Sequence, residues 1–341
     1  MRKCALSKLD SVFNKISEFA TLYIPVDTEK GAEFKKYEEG MQLSNRLKTD
    51  KSAKDLFFPQ SENLMEFKTE GKKIEVIDTR SASEDFVVFG VRACDVMSLN
   101  VLDKVFLVEP KDSYYATKRE KGVIISMACT RPDETCFCQT FNIDPSAPKG
   151  DIECYKTDSE VYFNAITEKG KALMEKIAED TEDCSDNDVN EQKEEIKKVL
   201  AKLPLKDLTA DDFGKDKTDD YFLRPEWKEL SQSCLGCGTC TFVCPTCQCY
   251  DIKDFNTGHG VKRFRCWDSC MYSDFTKMSA GQPRLTQLER FRQRFMHKLV
   301  YFPTNNDGMF SCVGCGRCVA KCPISMNIVK VMKALGGKKN D

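Results

Sequence analysis

Nineteen cysteines and two histidines, His259 and His297, in 341 residues define the chemistry open to this chain. So many thiols exceed what core packing uses, and so few imidazoles exclude most zinc and copper enzymes. Cysteine is sparse up to residue 233, then twelve fall between Cys234 and Cys322. Within that stretch Cys234-Leu-Gly-Cys237-Gly-Thr-Cys240-Thr-Phe-Val-Cys244-Pro245 is repeated as Cys312-Val-Gly-Cys315-Gly-Arg-Cys318-Val-Ala-Lys-Cys322-Pro323.

Both runs read C-x2-C-x2-C-x3-C-P, the bacterial ferredoxin spacing in which the fourth thiolate of each motif ligates the other cluster. One [4Fe-4S] cluster is therefore expected on Cys234, Cys237, Cys240 and Cys322, and another on Cys312, Cys315, Cys318 and Cys244. Three closely spaced thiolates can wrap one corner of a cubane only if the backbone between them turns tightly. Gly236, Gly238, Gly314 and Gly316 supply that freedom. A zinc ribbon would need only four ligands and leave thiols unexplained, and disulfides do not suit a cytosolic chain.

Eleven cysteines remain. Cys129, Cys136 and Cys138 share one loop and Cys94 ends a neighbouring strand, a set suited to a third [4Fe-4S] cluster, with Cys154 as a substitute ligand. The bland alternative makes Cys94 a small buried hydrophobe and the others free thiols. Cys247, Cys249, Cys266 and Cys270 form a further set that could hold metal or only shield the clusters. Cys4 and Cys184 have no partner pattern.

The elements that must position these thiols are partly legible. Helical spacing over Ala5–Ala20, strand-like runs at Thr21–Val26, Lys73–Ile77, Phe86–Val91 and Gly122–Met127, and a helical face over Asp95–Phe106 predict a parallel βαβ arrangement. Cys94 and Cys129 then follow strand ends, where open α/β sheets place ligands. From Pro283 onward Leu285, Leu288, Phe291, Phe295, Met296 and Leu299 recur at helical spacing. Arg284, Arg290, Arg292, Arg294 and Lys298 are read as its solvated side, near enough to counter cluster charge. Ile324–Leu335 adds a short helix. The expected class is α+β: an α/β domain over 1–175 with the third iron-sulfur site, a charged connecting segment over 176–225, and a mainly α-helical dicluster domain over 226–341.

Lys plus Arg total 52 against 54 for Asp plus Glu, which argues against a nucleic-acid partner. No apolar run approaches a membrane span, and Lys8, Asp10 and Lys15 interrupt any signal-peptide core, so no membrane association and a cytoplasmic location are expected. There is no G-x-G-x-x-G or G-x4-G-K-[ST] to bind a nucleotide, and no nucleophile with a nearby histidine and acid. No catalytic residue is assigned.

Phe89-Gly-Val-Arg-Ala-Cys94-Asp95, the Ala128–Cys138 segment, Cys234–Cys249, Arg265–Cys270, Arg292–Lys298 and Cys312–Pro323 resemble the β subunit of cytosolic sulfhydrogenases and the A subunit of anaerobic sulfite reductase. Cys266 departs from that pattern. The resemblance implies an electron-transfer subunit, not catalytic alone, beside an FAD-containing, NAD(P)H-oxidising subunit and a separate catalytic subunit of hydrogenase, sulfite reductase or heterodisulfide-reductase type. The alternatives are an assembly or sensing subunit with structural clusters, and a stand-alone reductase with a substrate site in the α/β domain.

Overall fold

A computed structural model describes residues 1–336. Its strands in chain order are β1 (Arg2–Ala5), β2 (Thr21–Asp27), β3 (Ala32–Lys36), β4 (Ser61–Glu70), β5 (Lys73–Asp78) and β6 (Phe86–Val91), then β7 (Gly122–Met127), β8 (Ile152–Lys156), β9 (Glu160–Ala165), β10 (Glu182–Asp183), β11 (Tyr250–Asn256) and β12 (Gly260–Trp267). They form an eight-stranded sheet in the order β10-β1-β9-β8-β7-β6-β2-β3 and a four-stranded sheet in the order β11-β12-β4-β5.

The centre of the larger sheet is parallel, β2 with β6, β6 with β7 and β7 with β8. All six residues of β6 are buried, as a near-continuous apolar run in a doubly covered parallel strand must be. Val87 and Phe89 pack toward Val12, Phe13 and Ile16 of the Leu9–Ser17 helix. Phe86 and Val88 pack toward Leu99, Leu102 and Phe106 of the Ala93–Phe106 helix. The expected first helix thus begins later than its apolar pattern, because Arg2–Ala5 pairs with β9 instead.

The smaller sheet is antiparallel and joins distant parts of the chain. The β11–β12 hairpin lies between the two ferredoxin motifs and pairs through β12 with β4, placing Arg265 opposite Glu62. Arg265 is 2 % exposed, donates to Glu62 at 2.7 Å and to Asp112, and lies over the Phe58 ring. The expectation of a mainly helical region after 226 is corrected accordingly: a hairpin interrupts it, and its strand partners come from the N-terminal part. Lys73–Ile77 does form a strand, but in this second sheet.

The charged stretch over 176–225 is anchored at both ends. Val189, Ile196 and Leu200 pack on Ala128, Tyr155 and Tyr162, while Leu208, Phe213 and Tyr221 enter the C-terminal core. The apolar stripe is narrow, and the Lys and Glu residues covering the rest of the helix conceal it from composition. Among the described residues no helix is long and apolar enough to cross a membrane.

Candidate iron-sulfur centres

The two ferredoxin motifs fold alike. In each, both glycines take left-handed backbone, Gly236 and Gly238 at φ 65° and 73°, Gly314 and Gly316 at φ 58° and 75°. That conformation favours glycine and brings three cysteines round one turn. A short helix then starts directly after the second glycine, Thr239–Phe242 in one motif and Arg317–Lys321 in the other.

Cys312, Cys315 and Cys318 line a narrow hollow of about 20 Å³ together with Cys244, which comes from the other motif. Its remaining walls include Phe137, Arg294, Lys298 and Ile328. Among the described residues no three His, Cys, Asp or Glu side chains converge on a single ion; the thiols surround a space instead. Burial pushes the Cys318 thiol up to about 12 and also raises Cys315 and Cys312. Without iron these thiols keep their protons, and metal binding must release them.

The cations facing this space are the most informative part of the site. Arg294 and Lys298 are 2 % and 3 % exposed, and among the described residues neither has a carboxylate partner within ion-pair distance. Lys298 donates to Thr246 Oγ1 at 2.8 Å and to the Ser311 carbonyl at 3.0 Å. Although burial alone would discharge it, the Cys244 and Cys247 thiols beside it hold it charged. Arg294 donates through Nη2 to the Cys240 carbonyl at 2.9 Å, leaving Nε and Nη1 buried without partners. Cys240 and Cys318 hold it charged against the burial, so it stands between the two motifs. Buried cations without anions are costly, and an anionic cluster within the thiol cage is the charge they fit. Reading these two side chains as part of a solvated face is therefore wrong; the helix Gln287–Met296, capped by Thr286 and Glu289, turns Arg294 inward, and the π-helical turn His297–Tyr301 that continues it does the same for Lys298.

Cys234, Cys240 and Cys322 pack against the same core as Cys312 and Cys318. Gln287 Nε2 donates to Cys234 Sγ at 3.4 Å. Cys237 is exposed, and the Thr239 hydroxyl 3.3 Å from its sulfur lowers its pKa. Hydrogen bonds to sulfur of this kind favour the thiolate that iron requires.

Cys94, Cys129, Cys136 and Cys138 lie near enough to one another for some of them to feel each other's charge. Cys138 is pushed up to about 12 by burial, with Cys129 and Cys136 adding to the effect; Cys94 is raised by burial, with Asp95, Cys315 and Cys138 adding to it. Cys94 lies in the first turn of its helix rather than at the strand end. The loop carrying the other three docks on the second motif, where the Phe137 amide donates to the Gly314 carbonyl at 2.9 Å. A Cβ on Gly314 would stand 2.3 Å from the Phe137 oxygen, and one on Gly316 2.4 Å from the Thr135 oxygen. Lys48 bridges the two places, 3.6 Å from Cys136 Sγ and 3.0 Å from the Cys315 carbonyl. Cys154, the substitute ligand, is instead buried in the main sheet's core with Cys4.

In the last set, Cys247 is raised by its neighbour Cys244, and Cys270 by its neighbour Cys249, so the thiols stand in pairs. Cys266 stands apart on β12, opposite Asp251 and Ser61. Sequence reasoning missed Lys48 and Lys54. Lys54 is 3 % exposed and donates to the Cys244 and Cys247 carbonyls, both at 3.0 Å, under the Trp267 ring. It also missed the buried pair of Arg317 and Asp95, bonded at 2.5 and 2.7 Å. No local signal marks a lysine whose partners lie hundreds of residues away. Arg317, inside the second cysteine motif where the first has Thr239, was the one hint available.

Comparison with known proteins agrees with this geometry. Residues 233–326 match the family model described as a 4Fe-4S dicluster domain. Over 322 residues the chain is 32% identical to sulfhydrogenase 2 subunit beta of Pyrococcus furiosus, covering 94% of this chain and 93% of that one. No solved structure matches. A likeness of that extent, joined to the dicluster domain, shows that the chain belongs to the sulfhydrogenase β-subunit family and is an iron-sulfur electron-transfer subunit of an oxidoreductase.

Proposed function

We propose that the chain holds three [4Fe-4S] clusters and relays single electrons in the cytoplasm between an FAD-containing, NAD(P)H-oxidising subunit and a separate catalytic subunit of hydrogenase, sulfite reductase or heterodisulfide-reductase type. Cys234, Cys237, Cys240 and Cys322 hold the first, Cys312, Cys315, Cys318 and Cys244 the second, and Cys94, Cys129, Cys136 and Cys138 the third. The observation that carries this reading is the hollow walled by three thiols of one motif and the fourth of the other, an arrangement that supports the ligand exchange of two-cluster ferredoxins.

Bound clusters of this type supply one-electron redox chemistry, their potentials set by hydrogen bonds to sulfur, burial and nearby charge. The protein's own residues do the rest. Arg294 and Lys298 offset negative charge at the second site, and Lys48 does so where the second and third sites meet. Phe137 and Val313 exclude water from the hollow. The Phe137–Gly314 contact holds the third thiol group's loop against the second motif, as a relay requires, and the exposure of Cys237 fits a first site near the surface.

Iron and acid-labile sulfide analysis with EPR on anaerobically purified protein tests this. About twelve irons per chain support three clusters, and about eight leave only the paired-motif sites. Colourless, zinc-loaded protein would overturn the reading. Reduction by dithionite followed by reoxidation with the purified flavoprotein subunit separates a relay from a chain whose clusters only stabilise the fold.

A further inference from the structure

A crevice of about 750 Å³ opens at the carboxyl ends of β2, β6, β7 and β8. That volume lies in the range of small-molecule sites, and strand carboxyl ends are where α/β sheets place ligands. Its floor holds Arg92, directly after β6, and Met127 and Ala128, at the end of β7. Arg92 donates through Nη1 to the Ala128 carbonyl at 2.7 Å, which leaves its Nε buried and without a partner. The facing wall is the helix Asn190–Leu200, which contributes Gln192. Gln192 donates through Nε2 to the Lys156 carbonyl at 2.7 Å, while its Oε1 is likewise buried and unpartnered. Buried polar atoms are normally satisfied, so an unmet donor and an unmet acceptor in one crevice call for explanation.

The charges are sorted in the same sense. Arg92 and Arg131 lie on the strand side, and Asp188, Glu191 and Glu195 on the helix side, with Lys156 and Asp158 between them. Lys156 is partly engaged by Asn45 Oδ1 at 3.3 Å. A dianion would meet the acidic wall and a simple cation the arginines. By contrast, the hollow of about 430 Å³ at the opposite ends of the strands, beside Phe19 and Lys176, contains no unpartnered buried polar atom among the described residues.

We propose that the crevice binds a small zwitterion of the amino-acid class, its carboxylate toward Arg92 and its ammonium group toward Gln192 and the acidic helix face. The site is independent of whether the third thiol group holds a cluster.

The test is calorimetric titration of the full-length, anaerobically purified protein with each of the twenty proteinogenic amino acids. Succinate and putrescine serve as probes that each lack one of the two charges. At least one amino acid is expected to bind tenfold or more tightly than either control. Gln192→Leu should weaken it about tenfold and Arg92→Met by more, while Gln192→Leu leaves iron content unchanged. Should Arg92→Met fail to fold, Gln192→Leu alone decides. Binding no tighter than that of succinate or putrescine, or binding indifferent to Gln192→Leu, overturns the proposal.

Discussion

Around the first ferredoxin motif Cys237 is exposed, Leu235 is 64 % exposed and Tyr272 38 %. Around the second, Cys315 is buried at 8 % and Val313 at 2 %, and the Thr135–Phe137 backbone presses on both glycines. The cysteine spacing is identical. What differs is the cover, supplied by residues far away in the chain. One spacing therefore yields a site open to solvent and a site enclosed by protein and by buried cations, and these are the conditions that separate the potentials of chemically equal clusters.

The contrast can be broken most sharply at the cysteines. Cys315→Ala and Cys237→Ala should each lose about four irons, measured with sulfide content. Only Cys315→Ala should also loosen the Cys129–Cys138 loop, seen as new sites of limited proteolysis. Next comes the buried pair that fastens the second motif to the N-terminal part. Removing one partner, in Asp95→Ala, should cost about 3–5 kcal/mol in urea unfolding, while Asp95→Leu with Arg317→Met should restore most of it. A smaller effect separates the glycines. Gly236→Ala should cost about 1–2 kcal/mol for its left-handed backbone, since its neighbour Gln287 is a flexible side chain at 3.1 Å. Gly314→Ala should cost more, because the Phe137 backbone cannot move aside.

Lys298→Met should lower the reduction potential of the enclosed site and leave that of the open site nearly unchanged, as read by EPR-monitored redox titration. The smallest effect is in pH. Burial lowers His297 from 6.5 to about 4, with Lys298 and Arg284 adding to the shift. Between those values the unfolded chain binds a proton that the folded chain refuses. This group's stabilisation is complete above pH 6.5 and lost as pH falls toward 4. His297→Asn should flatten that part of the stability profile in chemical denaturation.

How much of this was legible follows from distance along the chain. The dicluster motifs were readable because their cysteine spacing is local, and β6, β7 and the Ala93–Phe106 helix because their apolar periods are strong. The pairing of β12 with β4 was not, since nothing near Arg265 announces Glu62. Arg294 and Lys298 were misread for the same reason: a helix with a clear apolar stripe offers no mark showing that its polar side faces a thiol cage. The Val189–Leu200 anchor was hidden by its charged neighbours.

The crosswise placement we propose for Cys244 and Cys322 also imposes an order in time. Neither set of four thiols exists until the ribosome has passed Cys318, and β4 must wait for a partner made much later. Lys48, Cys94 and the Cys129–Cys138 loop emerge long before the surfaces they will meet. Contacts of such separation form slowly, so iron delivery has to follow translation, and the newly made chain spends an interval with its thiols bare.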